Sequence, residues 1–138
     1  MIVLDTSVLS LAYRPSRPPT RDDVIKTYFA KLLDEEAPLA IPGIVLQEVL
    51  SGVKGATDYR RLDDLLSGFP LLLANRGTHS RAAVLRNQIR TKGISTSTVD
   101  CLIAAHAIEA EGELLTADHD FRHIARHTDL ELHPVPRR

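Results

Sequence analysis

The sequence predicts an α/β domain with a mostly parallel central sheet flanked by helices. Two observations carry this. Short apolar runs recur at Ile2-Val3-Leu4, Leu39-Ala40-Ile41, Leu71-Leu72-Leu73 and Glu113-Leu114-Leu115-Thr116, and such runs mark strands buried on both faces. Longer segments of helical period lie between them, and strands alternating with helices argue a parallel sheet. A length of 138 residues suits one domain, 1–138, around a single core.

In chain order, Thr6 or Ser7 is placed to cap a helix over Val8 to Tyr13. Pro15, Pro18 and Pro19 then make a stiff loop carrying Arg14 and Arg17. Asp22 to Glu36 reads as an amphipathic helix, with Val24, Ile25, Tyr28, Phe29, Leu32 and Leu33 on one side. Pro42 favours the first turn of a helix reaching about Val53. Asp58 to Leu66 is the next helix. Thr78 to Lys92 follows, closed by Gly93, and then Thr98 to Glu111, closed by Gly112. A short helix begins at Phe121, and Leu130 to Val135 supplies a last strand.

The composition, 43% hydrophobic and 25% charged, is that of a soluble globular protein. Cys101 has no partner thiol, which excludes an internal disulfide and fits a reducing cytoplasm. It lies in an apolar run, so a buried structural role is expected. Neither a signal peptide nor a run approaching ~20 apolar residues is read, so a cytoplasmic protein without membrane contact is expected. The net charge of −1 gives no global signal for nucleic acid. The charges are uneven, however. Arg14, Arg17 and Arg21 fall in one segment, Arg81, Arg86, Arg90 and Lys92 in another, and several acids stand alone among apolar residues.

Those acids point to chemistry. Asp5 and Asp118 each follow a strand, and ligands of open α/β sheets bind outside the carboxyl ends of strands. Asp5 also suits a helix N-cap or a loop, whereas Asp118 is assigned to metal binding. Glu48 sits among Ile44, Val45, Leu46, Val49 and Leu50. It points either to solvent or to a cleft near the helix start. Asp100 shares a helix face with Ile103, Ala104 and Ala107, and Ser97-Thr98-Val99-Asp100 also matches a capping box. Capping is assigned to Asp120. Carboxylates converging on one edge repel one another, and a hard divalent cation relieves the repulsion. An oxygen-only ligand set selects magnesium or manganese over zinc.

Four segments in this order resemble a known family. They are Ile2-Val3-Leu4-Asp5-Thr6-Ser7, Gln47-Glu48-Val49-Leu50-Ser51-Gly52, Val99-Asp100-Cys101-Leu102-Ile103-Ala104-Ala105-His106-Ala107, and Leu114-Leu115-Thr116-Ala117-Asp118-His119-Asp120-Phe121. Together they look like a PIN domain, and their spacing is similar to that of the VapC-type toxins of toxin–antitoxin pairs. The resemblance spans essentially the whole chain. It implies Asp5, Glu48, Asp100 and Asp118 as an acidic quartet around Mg2+ or Mn2+, supported by hydroxyls of Thr6 or Ser7 and of Thr116. It implies RNA cleavage that blocks translation, a homodimer, and inhibition by a cognate antitoxin. The fourth acidic position varies in the family, so Asp118 and Asp120 remain alternatives.

The expected reaction is cation-assisted hydrolysis of the RNA backbone without a covalent nucleophile. Arg86 and Arg90, spaced i, i+4, are candidates to grip phosphates, as are Arg14 and Arg17, or all four are ordinary solvated charges. His119, His123 and His127 read as exposed helix histidines rather than a zinc site, since the Glu of H-E-x-x-H is missing. Two rival functions are a structure-specific DNA nuclease of the 5′-nuclease type and a non-catalytic binding module with this fold.

Overall fold

Strand β1 (Ile2–Leu4) lies at the centre of a five-stranded sheet of order β3-β2-β1-β4-β5. Its neighbours are β2 (Leu39–Pro42) and β4 (Glu113–Leu115), with β3 (Leu71–Leu72) and β5 (Glu131–Leu132) at the edges. Every pairing is parallel, and Val3 is matched to Ala40 on one side and Leu114 on the other. The computed structural model describes residues 1–13 and 23–136. The segment with Arg14, Arg17 and Arg21 lies outside them.

Seven helices connect the strands among the described residues: α1 (Thr6–Tyr13), α2 (Asp23–Asp34), α3 (Gly43–Ser51), α4 (Ala56–Leu66), α5 (Arg76–Thr91), α6 (Thr98–Glu109) and α7 (Phe121–His127). Val3, Leu4, Ala40, Ile41, Leu114 and Leu115 are all fully buried. Successive strand residues point to opposite faces, so runs buried at every position require cover on both sides. The apolar runs are therefore legible as central strands because helices shield both faces. Among the described residues no helix is long and apolar enough to cross a membrane.

The connectivity positions the functional edge. The chain builds β2 and β3 on one side of β1, then returns to add β4 and β5 on the other. Strand order thus reverses between β1 and β4, and the crevice beyond their carboxyl ends is where such sheets receive ligands.

Several boundaries differ from the sequence expectation. The cap of α1 is Asp5 rather than Thr6 or Ser7, because the strand ends at Leu4 and the Asp5 carboxylate accepts the Val8 amide at 3.2 Å. Helix α5 starts at Arg76, two residues before Thr78, because Asn75 and Thr78 close a reciprocal capping box. Leu33 of α2 is exposed, while Phe29 and Leu32 are buried. Leu73 is 74% exposed and falls outside the edge strand β3. The turn after α6 places Glu111, not Gly112, at positive φ. Gly112 is needed for a different reason: a Cβ there would stand 2.6 Å from the Met1 carbonyl oxygen.

The last strand is pinned from outside the sheet. Tyr28 on α2 stacks on His133 and their Oη and Nε2 lie 2.6 Å apart. The opposite ring nitrogen of His133 lies 3.0 Å from Glu113 Oε1, so His133 links α2, β4 and the segment after β5.

Candidate active site

Asp5 is the first residue beyond β1 and is only 3% exposed. A buried carboxylate needs donors, and the neighbouring elements supply three. Ser7 Oγ donates to Oδ1 at 2.7 Å, the Val8 amide donates to the same oxygen, and Thr116 Oγ1 donates to Oδ2 at 2.5 Å. Each hydroxyl has one hydrogen, so both are spent on Asp5. Their lone pairs then accept backbone amides of the turn after β4: Ala117 N–H on Ser7 at 2.9 Å, and Asp118 N–H on Thr116 at 2.9 Å. Asp5 therefore ties the end of β1 to the end of β4. Burial still pushes its carboxyl above the ordinary range, and the charge of Asp118 adds to this, against the hydrogen bonds.

Asp100 enters from the first turn of α6. Ser97 caps this helix, accepting the Asp100 amide at 3.0 Å. Ile103, Ala104 and Ala107 on the same face are buried, so the helix is clamped to the core and Asp100 is aimed at the sheet edge. Its carboxyl is pushed up to about 6, first by burial, then by Asp118, with Asp120 and Asp5 adding and Ser97 opposing.

Asp118 stands on the turn after β4, where its Oδ1 accepts the Asp120 amide at 2.9 Å. That bond fixes the turn and brings Asp120 alongside. Oxygens of Asp100, Asp118 and Asp120 all lie within 4.8 Å of one another. Asp120 occupies the N-cap position of α7, as the sequence assigned, but its side chain makes no cap hydrogen bond and lies instead with the other two acids. The signal was present in Asp118-His119-Asp120, two acids at i, i+2 just beyond a strand, but a cap produces the same pattern.

Glu48 lies farther along α3 than the expected helix start. Gly43 begins the helix and Glu48 falls in its second turn. Its side chain is exposed, outside the three-carboxylate group, and its Oε1 accepts the Thr6 hydroxyl at 2.7 Å. Thr6 adjoins Asp5, so Glu48 borders the site from the β2 side. Thr6, Ser7 and Thr116 are thus all engaged with the acids.

Cys101 is buried, with its Sγ 3.2 Å from Thr96 Oγ1. His119 and His123 are exposed and His127 half-buried. Arg81 forms an ion pair with Glu109 at 3.6 Å, while Arg86 and Arg90 line a groove beside the loop that leads into α6.

The carboxylates gather at the switch point of a central parallel sheet, and the chain belongs to the PIN domain family, whose pattern matches residues 2–127. It is 32% identical over 134 residues to ribonuclease VapC11 of Mycobacterium tuberculosis, covering 95% of this chain and 96% of the relative. The solved structure of VapBC2 from Rickettsia felis, bound to a DNA fragment from their promoter, superposes with a TM-score of 0.74 at 26% identity, covering 96% of this chain and 98% of the other. A toxin-antitoxin complex from Klebsiella pneumoniae shares the fold, with a TM-score of 0.69, 24% identity, and 88% and 90% of the two chains covered.

Proposed function

We propose that the chain is a divalent-metal-dependent endoribonuclease, the toxin of a type II toxin–antitoxin pair that cleaves RNA to stop translation, with residues 1–138 acting as one nuclease unit. The observation that carries this is the gathering of Asp100, Asp118 and Asp120 within 4.8 Å beside buried Asp5. The ribonuclease name of the mycobacterial relative and the toxin–antitoxin assembly of a structural neighbour support it.

The donor set fits a hard cation. The three-carboxylate group offers oxygen only, which suits magnesium or manganese. Asp100, held at about 6 by burial and like charges, is in the state a cation relieves. Asp5, Glu48, Asp100 and Asp118 are the proposed holders, with Asp120 as a fifth carboxylate in reach. When bound, the cation supplies a lowered pKa for water and neutralises charge developing on phosphoryl oxygens. Ser7 and Thr116 keep the Asp5 carboxylate in one orientation, since both its oxygens are bonded.

The same acids, when free, suit an arginine of the cognate antitoxin, and the functional toxin is proposed to be a homodimer in the cytoplasm. The test is a labelled panel of RNA, single-stranded DNA and flapped duplex DNA, with magnesium, manganese or chelator. RNA cleavage that requires the cation is expected. Cleavage of flapped DNA alone would establish the 5′-nuclease alternative, no cleavage the binding module, and activity in excess chelator would refute the metal requirement.

A further inference from the structure

We infer that the groove lined by Arg86, Arg90, Gly93, Ile94, Ser95 and Thr96 is a subsite for a backbone phosphate of the substrate strand, away from the bond that is cut. This rests on the proposed nuclease reading and specifies how that site holds its substrate.

The groove has a volume of about 340 Å³ and is walled on one side by α5 and on the other by the loop before α6. None of the described residues lining it is acidic. Arg86 is oriented rather than free: its Nε donates to the Thr96 carbonyl at 3.2 Å. That bond uses one of five guanidinium N–H groups and leaves the terminal nitrogens as donors. Arg90 lies one turn further along the same helix face. Among the described residues, neither arginine has a carboxylate within ion-pair range, whereas Arg81, on another face of α5, is paired with Glu109. Two cations without counter-charge among the described residues, in one concavity with Ser95 on the facing wall, match a phosphodiester group.

The groove is also tied to the acids. Thr96 and Asp100 are four residues apart, so their Cα atoms lie within about 14 Å at full extension. The Thr96 hydroxyl contacts Cys101 on the α6 side and its carbonyl holds Arg86. The loop that positions Asp100 therefore also positions the cationic groove, and the acids lie within a few nucleotides' reach of a strand seated in it. Phosphate contacts of this kind set register rather than sequence preference.

The experiment uses the full chain carrying Asp100→Asn, which allows binding to be read without turnover. Fluorescence anisotropy is followed with a labelled 2′-O-methyl oligonucleotide over a salt series, and with copies carrying one neutral methylphosphonate at successive positions. Arg90→Gln is the main variant, Arg86→Lys keeps the charge at the anchored position, and Arg81→Gln is the control. Arg90→Gln is expected to weaken binding about tenfold and to lower the salt slope by about one. One methylphosphonate position should weaken binding to the parent and leave binding to Arg90→Gln unaffected. Equal affinity and slope for Arg90→Gln and parent, an equal loss in Arg81→Gln, or no oligonucleotide binding at all would each overturn the subsite. Native protein that leaves RNA intact in the cleavage panel, while the Arg90 effect persists, would instead overturn the nuclease reading alone.

Discussion

Thr116 donates its hydroxyl hydrogen to Oδ2 of Asp5 across 111 positions of sequence, and accepts the amide of Asp118 with the same oxygen. One side chain thereby connects the acid after β1 to the acid after β4. Thr116→Val keeps the shape and removes both bonds. A buried acceptor losing a donor costs about 1–3 kcal/mol, so denaturant unfolding is expected to show a loss of that size together with a steep fall in RNA cleavage. Thr116→Ser restores both. A valine variant with native stability would show that Asp5 does not depend on this hydroxyl.

The raised carboxyl of Asp100 makes metal-free stability depend on pH. The unfolded value is near 3.8 and the folded value about 6. The contribution is therefore fully present below the unfolded value and is lost as pH rises through the folded one. Asp100 is half-exposed, and solvent screening reduces the effect to about 1 kcal/mol. In chelator, Asp100→Asn should gain on the native protein by that amount between pH 4 and pH 7.5. Excess manganese should close the gap, because it stabilises only a competent site. A gap that stays constant across this range contradicts the assignment of the shift.

Glu48 separates activity from stability. It is exposed, and in Glu48→Gln the amide oxygen still accepts from Thr6, so stability should move by no more than ~0.5 kcal/mol. Cleavage should fall at least about tenfold if the carboxylate is a ligand. Native cleavage with native melts would remove Glu48 from the site.

Asp118→Asn and Asp120→Asn resolve the fourth acid. In Asp118→Asn the side-chain amide oxygen can still accept the Asp120 N–H, so the turn survives each change. Calorimetric titration with manganese should show weaker binding in both variants, by about tenfold or more. Full affinity in either one assigns the position to the other.

Gly112→Ala tests the packing beneath the site. The added Cβ would stand 2.6 Å from Met1 backbone at the start of β1. Overpacking of this kind costs about 1–3 kcal/mol, and a thermal melt that does not move would show that the chain terminus yields freely.

Much of this was legible in the sequence for physical reasons. The strands buried on both faces appear as unbroken apolar runs, and Asp5 and Asp118 are conspicuous because they end such runs. Asp100 stood out as an acid on an apolar face. The turn after β4 was not legible. Asp120 stands at the N-cap position of α7 and also reaches Asp100, and a pair of acids just beyond a strand looks the same whether its second side chain bonds the helix or not. The place of Glu48 was equally hidden, because its link to the site runs through Thr6, 42 positions away. The edge strand was overestimated because Leu71 to Leu73 carries the apolar signature of a strand without the second neighbour that would bury it.

Placing β1 between β2 and β4 has a consequence for synthesis. Leu4 pairs with Leu115, so β1 waits for a strand more than a hundred residues further along the chain. Pairings this distant in sequence are slow to form, because the intervening loop must close before any contact rewards it. On a ribosome, β1 can meet β2 early, but Asp5 faces neither Thr116 nor Asp118 until β4 and the turn after it have emerged. A chain that stops short of β4 carries Asp5 without Thr116 and Asp118, so the proposed centre assembles in one late step, when β4 and the turn after it join the sheet.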